Sequence, residues 1–315
     1  MAHSFASAGH PNPLIEKVTQ LIAGLETYAY FHKDKTNPFN NHDNKKSNES
    51  LKIVYLLHGR TSSAAIIEEL AHDLITKYYK ISQDNIEPIV IITFDFRNHG
   101  KRLINELNQQ SWNKGNITHA ADMISYIDGA VVELKTIHDY LPSFVPGLNK
   151  FKQTRYIVSG VSMGGHTTIQ SVTRFPGVYD GAAPIVGCFD LSSLLLNRLG
   201  KFNRKTLYNE SYGILQKNFD QEKYPRSLFD IVSKNDALVA HTYDTKKLKT
   251  FALFGEFDPL VLMDYSIPFL NLHDTDVKTR DQFNPSLQFQ ALKYNAEHEV
   301  TDDMTDDLSK WLVEF

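Results

Sequence analysis

Apolar and polar positions along most of the chain follow two alternating periods. Leu51–Leu57 (LKIVYLL), Pro88–Phe96, Arg155–Ser159 (RYIVS), Gly181–Gly187 and Thr250–Phe254 (TFALF) are short, largely apolar runs. That is the pattern of strands buried on both faces. Ser286–Leu292 predicts a last strand. Between these runs the spacing turns helical. Ser62 or Ser63 is placed to cap a helix with Ile66, Ile67, Leu70 and Leu74 on one face. Thr118–Leu141 puts Ile124, Ile127, Val131, Leu134 and Leu141 on one stripe, and Met163–Arg174 reads as a helix that stops before Pro176-Gly177. Asp303–Phe315 is amphipathic, with Met304, Leu308, Leu312 and Val313 inward. Apolar runs alternating with amphipathic helices predict repeated βα units, hence an α/β fold around a mainly parallel sheet.

Two regions depart from this alternation. Before the first run, Leu14, Val18, Leu21, Ile22 and Leu25 have helical spacing and predict an N-terminal helix. Residues 33–50 (KDKTNPFNNHDNKKSNES) follow, with a single apolar residue, Phe39, and read as a solvated loop. Residues 1–50 therefore predict an extension, and residues 51–315 the main domain. Between Asp190 and Lys249 the strand signal disappears and aromatic residues accumulate from Phe202 to Tyr243. Residues 190–249 read as a helical cap inserted into the domain.

Composition narrows the class of molecule without naming it. The chain has 315 residues, 42% hydrophobic and 22% charged, which excludes disordered, collagen-like and coiled-coil chains. Thirty-three Lys+Arg against 37 Asp+Glu give a formal net charge of −4, so no overall basic excess points to nucleic acid. The opening MAHSFASAGH is followed by no apolar run of signal-peptide length, and the longest apolar stretches, such as Pro88–Phe94, are far short of a membrane span. Asn48, Asn116 and Asn209 begin Asn-X-Ser/Thr triplets, which read as chance matches without a leader. The single cysteine, Cys188, has no partner for an internal disulfide and fits a reducing compartment; a cytoplasmic protein is expected.

The chemistry concentrates at Gly160-Val161-Ser162-Met163-Gly164-Gly165. This G-x-S-x-G pattern lies between a predicted strand and a predicted helix, the context of a nucleophile elbow. Glycines flank the serine because the turn is tight, and the helix start beyond it offers free N–H groups and a positive dipole end. A serine hydroxyl needs a base to take its proton. Asp258 directly follows the TFALF strand, in Gly255-Glu256-Phe257-Asp258-Pro259, at the strand end where open α/β sheets place functional side chains. His298 lies between the last predicted strand and the last helix. In that arrangement His298 accepts the Ser162 proton and Asp258 fixes the imidazole tautomer. Asp190, Asp264, Asp274 and Asp276 are rival acids, which otherwise read as caps or surface carboxylates. His58, His99 and His166 read as structural. Leu57-His58-Gly59-Arg60 ends the first strand of the body, so the Arg60 N–H is the candidate to join the Met163 N–H in an oxyanion hole, with Gly59 second. In Asp95-Phe96-Arg97-Asn98-His99-Gly100 a zinc site lacks a further ligand at defined spacing, and Asp95 paired with Arg97 in a turn is the expectation.

Taken together, HGR, DFRNHG, GVSMGGH, GEFDPLV and EHEV before the last helix resemble the α/β-hydrolase superfamily over residues 51–315. The chain looks closest to the prolyl-oligopeptidase-like and dienelactone-hydrolase-like branch of small serine esterases. The resemblance implies an eight-stranded, mostly parallel sheet, a Ser162–Asp258–His298 triad and no cofactor. A serine stands where dienelactone enzymes carry cysteine, and 315 residues leave no room for an oligopeptidase propeller. The expected activity is hydrolysis of a carboxylic ester or thioester of a small soluble substrate. A peptidase or C–C hydrolase with the same triad, and a non-catalytic binding protein on the same fold, are the alternatives. Arg60, Arg97, Lys101 and Arg102 together hint at a preference for an acidic acyl group, against a reading as solvated surface charge.

Overall fold

The structure is a computed structural model that describes residues 12–39, 50–82, 87–199 and 221–315. Among the described residues nine strands form one sheet: β1 (Ile15–Ile22), β2 (Leu25–His32), β3 (Ser50–Leu57), β4 (Ile89–Phe94), β5 (Gln153–Val161), β6 (Gly181–Ile185), β7 (Lys249–Gly255), β8 (Val277–Thr279) and β9 (Phe289–Tyr294). Their spatial order is β1-β2-β4-β3-β5-β6-β7-β9-β8. The β1–β2 and β2–β4 pairs are antiparallel and every other pair is parallel. The fold is that of an α/β-hydrolase.

Helices cover both faces. On one, α1 (Ala64–Ile81) and the C-terminal helix, Asp302–Val313, pack over Val54, Leu56, Ile89, Ile91 and Ile157. On the other, α2 (His119–Phe144) and α3 (Met163–Arg174) pack over Leu51, Ile53, Tyr55, Val90 and Ile92. The odd residues of β3 thus face one core and the even residues the other, which is why LKIVYLL reads as a continuous apolar run. Ser63 caps α1, its side chain accepting from the Ile66 N–H at 3.3 Å. Within the expected cap, α4 (Leu191–Leu199) and α5 (Arg226–Thr242) are helical, and α5 packs against α3 and α4. Residues 200–220 of that segment, and residues 40–49 of the Asn/Lys-rich stretch, lie outside the described residues. A short helix, α6 (Ile267–Leu272), follows β7, and Asp302–Val313 is α7.

The N-terminal helix expected over Leu14–Leu25 is instead the β1–β2 hairpin. Ala23 (φ +49°) and Gly24 (φ +82°) form a two-residue turn with both φ values positive, the geometry that matches the twist of a hairpin. Of the supposed helical stripe, Leu14 and Leu21 are exposed. The other hairpin strand, β2, is almost wholly buried, and its Ala29, Tyr30 and Phe31 pair with Ile92, Ile91 and Val90 of β4. Tertiary pairing overrides the local spacing, and the segment is an edge of the main sheet rather than an extension. The hairpin and the three-residue β8 add three strands to the six runs read from the sequence, giving nine where the resemblance implied eight.

After β3 the chain adds β4 on one side, then crosses to the other side for β5, β6 and β7. This reversal opens a crevice between the carboxyl ends of β3 and β5, where open α/β sheets bind ligands.

Candidate active site

Ser162 is the residue between β5 and α3, at φ +57° and ψ −113°. A side chain other than glycine pays roughly 1–3 kcal/mol for such backbone. Surrounding bonds hold it there: the Ser162 N–H donates to Ile185 O (2.9 Å), and the His166 N–H donates to Ser162 O (2.9 Å). The flanking glycines are steric requirements. A Cβ on Gly164 would lie 2.2 Å from Leu57 O, and one on Gly160 2.5 Å from Gly164 O. Both obstacles are backbone, so neither can swing aside. Thr61 and Val186 also have positive φ, at +60° and +43°. Three of the six non-glycine residues with positive φ among the described residues thus lie just past the ends of β3, β5 and β6.

Asp258 and His298 are brought to Ser162 by two loops that are stitched together. The Glu256 N–H donates to Tyr294 O (2.9 Å) and the Phe257 N–H to Ala296 O (3.0 Å). The loop after β7 therefore runs along the loop after β9. His298 Nδ1 lies 2.6 Å from Asp258 Oδ2, and His298 Nε2 lies 2.8 Å from Ser162 Oγ. A carboxylate accepts only, so Nδ1 carries the proton and Nε2 accepts from the serine hydroxyl. The Leu260 and Val261 N–H groups donate to the other Asp258 oxygen, Oδ1, at 2.8 and 2.9 Å. The Asp258 side chain is 1% exposed, and these bonds fix its orientation away from water.

The rival acids do other things. Asp190 caps α4, accepting from the Ser193 N–H (2.8 Å) and hydroxyl (2.7 Å), while Asp264, Asp274 and Asp276 are exposed. Asp236 accepts from the Leu191 and Ser192 N–H groups beneath the same helix start. Burial, with Asp190 adding, raises the Asp236 carboxyl well above the usual range.

Met163 is the first residue of α3, so its N–H has no acceptor within the helix. Arg60 lies three residues past Leu57, which pairs with Gly160 across β3 and β5. The two expected oxyanion donors thus sit at the ends of adjacent strands, on either side of the crevice.

Three histidines act as struts. His58 Nε2 accepts from the Phe96 N–H (3.0 Å) and its Nδ1–H donates to Gly59 O (2.8 Å), tying the β3 and β4 ends together. His99 donates from Nδ1 to Arg97 O (2.8 Å). His166 Nδ1 accepts from the Cys188 N–H at 3.0 Å. Burial, then the Arg198 and His298 charges, pushes the His166 imidazole down to about 3, so it stays neutral. Cys188 is buried beside it, and burial raises its thiol.

The expected Asp95–Arg97 pair does not form. Asp95 accepts from the buried Ala64 N–H (2.7 Å), which needs an acceptor, and from the Lys101 N–H (2.9 Å), bracing two loops. Arg97 pairs with Glu133 on α2 instead. Arg198, on α4, was not a candidate from the sequence. Its Nη2–H donates to Leu260 O at 3.0 Å, the carbonyl of a residue whose N–H holds Asp258. Nothing local marks it, since an arginine late in a helix ordinarily complements the helix dipole.

A family model described as "Putative esterase" matches residues 35–248. The chain belongs to this esterase family. It is a hydrolase that acts on esters. The matched span contains Ser162 and stops just before β7, so Asp258 and His298 lie beyond it. The fold is also shared with solved structures. TT1662 from Thermus thermophilus is 13% identical, with 95% of this chain and 96% of that one covered and a TM-score of 0.56. The Pyrococcus furiosus esterase Pf2001 is 15% identical, with 98% and 97% covered and a TM-score of 0.52. Prolyl oligopeptidase B from Galerina marginata is 17% identical over 94% of this chain but only 36% of its own, with a TM-score of 0.51. A search of curated proteins found no match. Among the described residues no helix is long and apolar enough to cross a membrane.

Proposed function

We propose that this esterase is a serine hydrolase that cleaves a carboxylic ester or thioester of a small soluble substrate through an acyl-enzyme on Ser162. The observation that carries the proposal is the continuous chain from Ser162 Oγ through His298 to Asp258, at 2.8 and 2.6 Å. The hydroxyl attacks the acyl carbon as its proton passes to His298 Nε2. The imidazolium formed lies against the Asp258 carboxylate, which stabilises it and holds its tautomer. The negative charge developing on the carbonyl oxygen is met by the Met163 and Arg60 N–H groups. The tetrahedral adduct collapses, the C–O or C–S bond breaks, and His298 returns the proton to the leaving alkoxide or thiolate. Water, deprotonated by His298, then attacks the acyl-enzyme and releases the acid and free Ser162. A buried lone cysteine suits a reducing compartment, in keeping with a cytoplasmic enzyme.

Turnover on a panel of esters and thioesters of graded acyl length is the test. Ser162→Ala is expected to lower kcat by roughly 10⁴-fold or more. Equal turnover by wild type and Ser162→Ala would reject the assignment, as would binding of panel members with no turnover at all.

A further inference from the structure

Of the four cations that the sequence places near the site, three are neutralised. Arg97 Nε–H donates to Glu133 Oε1 (2.9 Å), and Arg102 grips both oxygens of the same carboxylate, each at 2.9 Å. Lys101 binds both oxygens of Glu26, at 2.8 and 3.0 Å. Arg60 differs: its Nη1–H donates to a carbonyl, Gln109 O. Arg198 is in the same position. Its Nη2–H donates to Leu260 O (3.0 Å), and its Nη1–H faces His119 Nε2 (3.4 Å) and Met123 Sδ (3.7 Å). Among the described residues neither guanidinium has a carboxylate within ion-pair distance, although both are half-buried.

The two cations flank one short segment: Arg60 donates to Gln109 O, the Asn116 side chain donates to Gln110 O (3.1 Å), the His119 N–H donates to Asn116 O (3.3 Å), and Arg198 faces the His119 ring (3.4 Å). Each weakens protonation of His119, whose imidazole is pushed down to about 3 mainly by burial, so a neutral ring stands with them. The Arg198 charge also lowers the Arg60 guanidinium, after burial, to about 10. Leu260, whose carbonyl takes Arg198, donates its own N–H to Asp258. Arg60 lies in the Gly59–Ser62 turn that follows β3, closed by the Ser62 N–H donating to Gly59 O (3.3 Å). Two like charges withdrawn from water with only neutral acceptors are costly. A guanidinium fork matches the paired oxygens of a carboxylate or phosphate.

We propose that Arg60 and Arg198 jointly bind an anionic oxygen group, a carboxylate or a phosphate, carried by the ester substrate. This rests on Ser162 as the nucleophile, and the test separates the two claims. The first arm compares kcat/KM for the mono-4-nitrophenyl ester of glutarate with that for 4-nitrophenyl butyrate. Wild type should favour the charged ester by at least tenfold, Arg198→Met should cut that ratio at least tenfold, and Arg198→Lys should restore part of it. Using a ratio within each variant cancels differences in active fraction. Arg97→Met, whose charge is held on Glu133, should leave the ratio unchanged. The second arm titrates glutarate and inorganic phosphate into the Ser162→Ala protein by calorimetry, where turnover plays no part. Binding of either anion, weakened at least tenfold by adding Arg198→Met, supports the pocket and identifies the preferred anion. A wild-type ratio at or below one, a ratio indifferent to Arg198→Met, or binding of neither anion would overturn it. Loss of the nucleophile assignment alone would appear as Ser162→Ala still turning over both esters while the calorimetric result stood.

Discussion

At Ser162 a side chain that is polar but unreactive in water is made into a candidate nucleophile by position. Its strained backbone projects it from a helix start, and His298 reaches it at 2.8 Å. Asp258 is the residue whose role separates orientation from mere charge. Asp258→Asn keeps the size and burial of the side chain but favours the wrong imidazole tautomer, and a loss in kcat of about 10⁴ is expected. Steady-state kinetics checks this, with circular dichroism to show that the fold is kept; a loss below tenfold would mean that Asp258 is not the orienting acid. His166 makes a prediction about pH. Its imidazole falls from the ordinary 6.5 to about 3 in the folded protein. Between those values the unfolded chain binds the proton and the folded chain does not, so stability is full above about pH 6.5 and drains as the pH falls towards 3. Urea midpoints should therefore drop from pH 7 to pH 5, and His166→Asn, which keeps an acceptor for the Cys188 N–H, should make that drop smaller. An equal drop in both proteins would remove His166 from the account. Ser162, Asp258 and His298 were legible because each follows a strand signal with a local motif. Arg198 was not, because its meaning comes from Leu260 and His119, residues far from it in sequence.

The elements were legible where their pattern reports burial and illegible where it reports a partner. The parallel strands β3 to β7 are apolar on both faces, so each announces itself as a run. The β1–β2 hairpin carries alternating and aromatic residues that happen to repeat at helical spacing, and only β4 decides their state. The fate of Phe31 tests this. It is fully buried and stacks on Phe39, 5.6 Å between ring centres. Phe31→Ala should cost about 3–5 kcal/mol in urea unfolding, with an unchanged slope. A cost below about 1 kcal/mol would show that the hairpin frays separately from the sheet. The three-residue β8 escaped because a strand that short carries too few positions for a period.

For the molecule as a whole, the sheet's reversal between β3 and β5 explains why residues so far apart in sequence meet. The residues proposed to do the chemistry lie just past strands' carboxyl ends: Arg60 after β3, Ser162 after β5, Asp258 after β7 and His298 after β9. The family match covers the first two of these, while the last two rest on the geometry of the stitched β7 and β9 loops. The central claim, that this geometry makes Ser162 the nucleophile, is tested most directly by reaction with a fluorophosphonate followed by intact-mass and peptide-mass measurement. One phosphonyl adduct on Ser162 in wild type, absent from Ser162→Ala and much slower to form in His298→Ala, is the result expected. No adduct on wild type, or an adduct that persists in Ser162→Ala, would contradict it.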